Sequence, residues 1–174
     1  AIEMPPGVTL DSETQLQVAD IRGQGTADLL VTAPDHGPEK TRRSWLYRFN
    51  DHRPWLLSTI VDNIGNRTEL QYRSSAQAWL DEKAEQLTRG QTPVSYLPFP
   101  VHTVSRVTTL NEITGVCMGR ETTYLGGVWD SREREFAGFR RLIQTDTHEL
   151  ARSMAAHLSP PSRTCTWFYT GVEA

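Results

Sequence analysis

The sequence has few cysteines, no long apolar run and little net charge, and each shortage excludes a class of protein. Only two cysteines, Cys117 and Cys165, occur in 174 residues, which excludes a small scaffold held together by several disulfides. No apolar run approaches the ~20 residues that a helix needs to cross a bilayer. The net charge is −3, and there is no basic stripe of the kind that binds phosphates, so nucleic acid is not an expected partner.

The composition is that of a folded protein in water. Hydrophobic residues make up 37% of the chain and charged residues 22%, which favours one domain or two small ones over disorder. The first residues show no basic stretch followed by an apolar one, so no signal peptide is expected there. The two cysteines lie among apolar or β-branched neighbours. They are interpreted as buried free thiols, with a single disulfide as the alternative.

Short runs of β-branched, aromatic and alternating apolar residues recur along the chain, and turn residues separate them. This pattern predicts a mainly β fold built from antiparallel hairpins. The predicted strands lie near residues 7–20, 28–32, 45–49, 56–61, 68–72, 101–110, 116–125, 136–147 and 163–170.

Two helices and two loops complete the expected secondary structure. A helix is predicted over 75–89, capped by Ser74 or Ser75 and ended by Gly90. A second short helix is predicted over 146–158, because Asp146 can cap it and Glu149 follows three residues later. Polar residues 33–43 and the proline-rich residues 92–100 are expected to form loops.

The turn from Asp20 to Asp28 (D-I-R-G-Q-G-T-A-D) resembles the D-x-D-G-D-G-x-x-D-L loop of FG-GAP and VCBS repeats, which build β-propeller blades. In those repeats, carboxylates at positions 1, 3, 5 and 9 surround a calcium ion. Here positions 3 and 5 are Arg22 and Gln24. The favoured interpretation is therefore a metal-free turn, in which Arg22 pairs with Asp20 or Asp28, and bound calcium is the weaker alternative.

Four later segments carry distinctive motifs: Leu57–Tyr72, Leu97–Val104 (L-P-F-P-V-H-T-V), Tyr124–Phe139 (Y-L-G-G-V-W-D followed by R-E-F-A-G-F) and Thr166–Gly171 (T-W-F-Y-T-G). The first follows the L-x-x-I-x-D-x-x-G-x-x-T-x-x-x-Y pattern of RHS-type β-repeats. Together the four segments resemble the B component of the Tc insecticidal toxin complex, the TcdB/SpvB-like family, in which His is usual at the position of Tyr169.

This resemblance implies an architecture and a function. Residues 1–50 would be the end of an FG-GAP/VCBS-like propeller, and residues 51–174 would be part of a curved RHS-like β-sheet shell. The implied function is structural and non-catalytic: the segment helps to dock the A translocation component and to enclose the toxic effector of the C component. The implied partners are those components and the rest of a longer chain. The implied location is secreted or at the bacterial surface.

Two other functions are weighed against the scaffold. The first is a free-standing β-sheet module that binds peptide or carbohydrate, and it depends on the aromatics Trp45, Trp55 and Trp129. The second is a hydrolase or transferase with a cysteine nucleophile and a histidine base. Its candidate residues are Cys117 or Cys165 with His102, His148 or His157.

The charged run Arg132-Glu133-Arg134-Glu135 offers one further constellation. Glu133 and Glu135 would share one face of a strand and could couple their pKa values as paired carboxylates. A solvated charge run is the favoured interpretation, because nothing nearby predicts a substrate pocket. The sequence therefore predicts no catalytic, cofactor-binding or metal-binding residue.

Overall fold

The computed structural model of the chain describes residues 11–34, 42–51, 53–150 and 161–172, with only the backbone described for 147–150. The chain divides into two compact units, Ala1–Pro54 and Trp55–Ala174. This division falls close to the one drawn from the sequence at residues 50 and 51. The assignment of the first unit to the end of a propeller stays a prediction.

The first unit is a three-stranded antiparallel sheet in the order β1-β2-β3. Its strands are β1 (Gln15–Ala19), β2 (Asp28–Pro34) and β3 (Arg42–Arg48). The central strand carries the buried residues Val31 and Ala33, because it is covered by a neighbour on each side.

The pairing in this sheet corrects one predicted loop. Ala33 pairs with Arg43 and Pro34 with Arg42, so both ends of the predicted loop 33–43 belong to strands. Proline is tolerated there because it occupies the last position of β2. Residues 35–41, and residues 7–10 of the first predicted strand, lie outside the described residues.

The second unit is a six-stranded antiparallel sheet in the order β4-β5-β6-β7-β8-β9. The strands are β4 (Thr59–Val61), β5 (Asn66–Ser74), β6 (His102–Asn111), β7 (Val116–Asp130), β8 (Glu135–Leu150) and β9 (Ser162–Trp167). Each strand pairs with the next one along the chain, as expected from a series of hairpins. The prediction of a mainly β, antiparallel fold is confirmed.

The helix α1 (Ser75–Thr88) lies between β5 and β6, as predicted. Ser74 caps it by accepting a hydrogen bond from the Ala76 amide at 3.2 Å. Gly90, with φ 71°, donates its amide to the Leu87 carbonyl at 3.0 Å, and the helix ends there because glycine accepts this left-handed backbone. The stretch that follows, residues 91–100, returns the chain to β6.

Two neighbouring hairpin turns at one end of the sheet are tied together. The Asn111 amide group donates to Asn66 Oδ1 at 2.9 Å, and Glu112 N donates to the Gly65 carbonyl at 2.8 Å. Hydrogen bonds from the backbone and side chain of Asn66 hold the pKa of Asp62 below its usual range. The predicted turn over 62–67 is therefore hydrogen-bonded to the turn between β6 and β7.

The second predicted helix is wrong over residues 146–150, which belong to β8. Asp146 does not cap a helix: its carboxylate accepts hydrogen bonds from Arg120 Nε at 2.7 Å and from Ser162 Oγ at 3.2 Å. Strand pairing on both sides of β8 outweighs the local capping pattern, which is a weak preference. Residues 151–158 of the same prediction lie outside the described residues.

Within the described part of the chain, no helix is both long and apolar enough to cross a membrane.

Candidate functional site

In the first unit, the turn between β1 and β2 is closed by an ion pair inside the chain. Arg22 Nε lies 3.0 Å from Asp28 Oδ2, and Arg22 Nη2 lies 2.9 Å from Asp28 Oδ1. The same Nη2 donates to the Asn50 carbonyl at 2.7 Å. Arg22 therefore joins the start of β2 to Asn50, two residues beyond the end of β3.

The environment of Asp28 makes this pair important. The Asp28 side chain is fully buried, whereas 17% of the Arg22 side chain is exposed. The hydrogen bonds from Arg22 lower the pKa of Asp28 below its usual range, and Arg48 acts in the same direction. The same bonds raise the pKa of Arg22.

The other acidic residue of the turn binds the backbone. The two carboxylate oxygens of Asp20 accept the amides of Gln24 at 2.8 Å and of Gly25 at 2.6 Å. Of the two partners predicted for Arg22, the direct ion pair is therefore with Asp28. Among the described residues, no group of three or more His, Cys, Asp or Glu side chains is placed to hold a metal ion.

In the second unit, Gly126 and Gly127 mark the place where residues 91–100 cross β7. A Cβ on Gly127 would lie 2.9 Å from Leu97 Cδ2 and 3.1 Å from Phe139 Cε1. Beside this contact, Trp129 N donates to the Tyr96 carbonyl at 2.9 Å. Gly127 lets Leu97 and the Phe139 ring approach the strand backbone. Gly126 takes a left-handed backbone with φ 63°, which favours glycine, and together these account for the Gly-Gly pair in the motif.

Aromatic rings pack on both sides of the place where residues 91–100 cross β7. Phe99 meets Trp129 edge to face with ring centroids 5.0 Å apart. Phe139 contacts both Tyr124, at 5.1 Å, and Phe136, at 5.2 Å. The aromatic residues of the motif are thus used for packing between β7, β8 and residues 91–100.

A groove of about 520 Å³ lies between α1, residues 91–100 and the β7–β8 pair; it is called the α1 groove below. Its charged groups are held by neighbours. Glu82 accepts the Gly126 amide at 3.3 Å and the Gln86 side-chain amide at 3.4 Å. Arg140 lies over the Tyr96 ring, 4.9 Å from its centroid, and donates to the Val172 carbonyl at 3.3 Å.

The chemistry of the α1 groove is that of a packing site. Its lining contains neither cysteine nor histidine, and both oxygens of Glu82 already accept hydrogen bonds. The sequence analysis did not single out Glu82 or Arg140. Their hydrogen-bond partners are 44 and 32 residues away along the chain, so no local sequence pattern predicts these contacts.

In the proposed thiol enzyme, the strand register places the backbone of His148 opposite Met118, next to Cys117, whereas His102 lies far from Cys117. Cys117 pairs with Leu110, while His102 pairs with Ser74 at the other end of β6. Residues 102 and 110 are eight positions apart, which corresponds to about 26 Å at ~3.3 Å per residue. The side chain of His148 and the whole of His157 lie outside the described residues.

The strand register also excludes a disulfide between the two cysteines, which are both half-buried free thiols. Cys117 pairs with Glu149 and Cys165 with Ile143, so six residues of β8, or about 20 Å, separate them. A disulfide needs Cα atoms within about 7 Å.

The other residues that the sequence analysis singled out also do not form a common site. Glu133 lies in the turn after β7 and Glu135 begins β8, so they do not share a strand face and that expectation is wrong. The aromatics of the binding-module alternative differ in setting. Trp129 packs against Phe99, Trp55 is 99% exposed, and Trp45 is half-buried in the first unit.

Comparison with known proteins gives a consistent match. The family model described as the middle/N-terminal region of the insecticide toxin TcdB matches residues 4–171. No curated protein sequence matches the chain. A solved structure of the Photorhabdus luminescens Tc holotoxin pore, with a mutation in TccC3, is 43% identical with a TM-score of 0.90. That comparison covers 98% of this chain and 8% of the solved one.

Crystal structures of other assemblies agree. The complex TcdB2-TccC3 without its hypervariable C-terminal region and the complex TcdB2-TccC3-Cdc42 are each 44% identical, with TM-scores of 0.90. Each comparison covers 98% of this chain and 8% of the solved chain. Because the family model extends over nearly all of the sequence, the chain belongs to the family of the insecticide toxin TcdB middle/N-terminal region.

Proposed function

We propose that this chain is a non-catalytic structural segment of a Tc-type toxin B component. In this proposal, the six-stranded sheet of the second unit forms part of the wall that encloses the toxic effector. The first unit belongs to the end of the propeller that docks the translocation component. The observation that carries the proposal is the match of 98% of the chain, with a TM-score of 0.90, to a segment of the Photorhabdus luminescens Tc holotoxin pore.

The contacts of the second unit support a wall rather than a catalytic centre. Its longest pairing, between β7 and β8, runs from Val116–Leu150 to Asp130–Glu135 and shifts register once, at Val128/Trp129. Such a shift bends and twists a strand pair, and bends of this kind give a sheet the curvature of a shell. Residues 91–100 and α1 cover one part of β7.

The edges of this sheet support its use within a larger assembly. β9 pairs with β8 on one side, and no described strand pairs with its other side. Trp167 in β9 is 68% exposed. An open strand edge with exposed aromatics favours pairing with further strands, which the rest of a longer B component would supply.

The solved relatives indicate the partners. Their complexes combine TcdB2 with TccC3, and one is a Tc holotoxin pore. We therefore assign this chain the same classes of partner, a C-type effector component and an A-type translocation component. Action outside the producing cell, as a secreted or surface-associated toxin, belongs to the same proposal.

A segment swap tests this function directly. The corresponding segment of Photorhabdus TcdB2, 44% identical to this chain, is replaced by residues 4–171, the matched region. We expect the chimera to co-purify with TccC3 at the same stoichiometry as unaltered TcdB2, because the backbone of the segment is conserved between the two.

A second chimera serves as the negative control for binding of TccC3. It carries the same segment with Gly127→Val, which forces a branched side chain against Leu97 and Phe139. It should express but lose the complex with TccC3. A first chimera that folds, as judged by circular dichroism and gel filtration, yet does not bind TccC3 would refute the proposed role.

A further inference from the structure

The turn from Asp20 to Asp28 resembles in sequence the calcium-binding loop of FG-GAP and VCBS repeats, but its side chains do not suit a metal ion. Calcium takes six to eight oxygen ligands at ~2.3–2.6 Å. Both oxygens of Asp28 are bound by Arg22, and both oxygens of Asp20 are bound by backbone amides. The positive charge of Arg22 would also repel a divalent cation.

The guanidinium group is bound by the ligand types that a hard cation prefers. Arg22 Nη2 lies 2.9 Å from a carboxylate oxygen of Asp28 and 2.7 Å from the backbone carbonyl of Asn50. Two other oxygens of the turn, Gln24 Oε1 and Thr26 Oγ1, are buried without a hydrogen-bond partner in the described residues. The interior of the turn is therefore rich in oxygen, as a cation site requires.

The pair is also in a place where a counter-charge is needed. An ionised carboxylate as buried as Asp28 is strongly destabilised unless it is paired and hydrogen-bonded. Arg22 supplies the charge and two parallel hydrogen bonds, a geometry that suits guanidinium better than an ammonium group.

We propose that the guanidinium of Arg22 takes the place of the metal ion in this turn, so that a side chain of the protein is its permanent cation. The first unit then holds its three strands together without calcium. Substitution of Arg22 and Gln24 by aspartate would convert the turn into a calcium site. This inference concerns the turn alone and does not depend on the proposed role of the chain in a toxin.

The test uses the whole chain and two variants. The unaltered chain and Arg22→Asp/Gln24→Asp are each titrated with calcium chloride by calorimetry and melted in millimolar calcium or in EDTA. We expect the unaltered chain to release no binding heat and to keep its thermal midpoint in both solutions. The double variant should bind calcium with Kd of roughly 10⁻⁴–10⁻³ M and melt higher in calcium than in EDTA.

Single substitutions keep the test decisive if the double variant does not fold. Arg22→Gln should lower the midpoint of the first unit by about 5–15 °C, and Arg22→Lys by less. Arg120→Gln is the matched control. It breaks an ion pair with Asp146 that is far more exposed (56% and 38% exposed side chains), and it should change the midpoint little.

Three results would overturn the proposal. One is a lower midpoint of the unaltered chain in EDTA, or measurable calcium binding by it. The second is a double variant that folds but binds no calcium. The third is an Arg22→Gln variant as stable as the unaltered chain.

Discussion

At the scale of single residues, the most consequential charge is that of Asp28, because its side chain is fully buried. Three other charged residues lie near the ion pair of Asp28 and Arg22. Arg48 is opposite Asp28 in β3, and Asp20 and Asp51 lie beside Arg22. Among the described residues, only Arg22 makes a bidentate pair with Asp28. Protonation of this one carboxylate should therefore change the thermal stability of the first unit.

The pH dependence of that stability follows from the lowered pKa of Asp28. A carboxyl group with a pKa lower in the folded chain than in the unfolded one stabilises the fold above its unfolded pKa of roughly 4. This contribution is lost as the pH falls through the lower, folded pKa. We expect the thermal midpoint of the first unit to hold from neutral pH to about pH 4 and then to fall.

The variant Asp28→Asn isolates this effect. It should melt lower than the unaltered chain at neutral pH and change less between pH 7 and strong acid, since its side chain does not titrate. The measurement is the thermal midpoint by circular dichroism across that pH range. Equal acid sensitivity in the two proteins would contradict the assignment of the pH dependence to Asp28.

At the scale of elements, the central contact is the crossing of residues 91–100 over β7 at Gly127. The space there is taken by Leu97 and Phe139, so a new methyl group at position 127 crowds both. Gly127→Ala should cost about 1–3 kcal/mol of unfolding free energy from overpacking. Combining it with Leu97→Ala should recover roughly 0.5 kcal/mol or more relative to the sum of the two single changes.

A matched glycine provides the control for this cycle. Gly90 has positive φ and open space around its absent side chain. Gly90→Ala therefore carries a backbone cost but no crowding, and it should be additive with Leu97→Ala. Denaturant unfolding gives all the values. Additivity of Gly127→Ala with Leu97→Ala would show that the two elements are not in the contact described.

The same element scale shows which features a single sequence can predict. Local signals sufficed for α1, where Ser74 and Gly90 bound a helical period, and for the hairpins whose turns contain Gly65 and Gly115. The helix prediction failed over residues 146–150 because the pairing of Asp146 with Arg120 and Ser162 is non-local. β7 continues past Leu125 for a similar reason: Gly126 and Gly127 are kept in the strand by the elements packed on them.

The candidate sites also differ in whether a single sequence can predict them. The Asp20–Asp28 turn was predictable, including an ion pair of Arg22, because all its members lie within nine residues. The α1 groove was not, since Glu82, Tyr96 and Arg140 meet only after the sheet has formed. The separation of Cys117 from His102 likewise depends on register, which spacing along the chain does not reveal.

At the scale of the whole molecule, we propose that this segment acts through its structure and not through chemistry. No described strand pairs with the outer side of β9, and Glu82 and Arg140 of the α1 groove are hydrogen-bonded to backbone groups of the chain. Among the described side chains that could act as nucleophile or base, Cys117, Cys165 and His102 are spread over the sheet. Their removal should leave the function of a B component intact, provided that the sheet still folds.

The most direct test is toxicity of the assembled complex with a TcdB2 chimera that carries residues 4–171 and the triple substitution Cys117→Ser, Cys165→Ser and His102→Ala. We predict the same binding of TccC3 and the same killing of target cells as the unsubstituted chimera. A triple variant that folds and assembles normally but has lost its toxicity would contradict the claim.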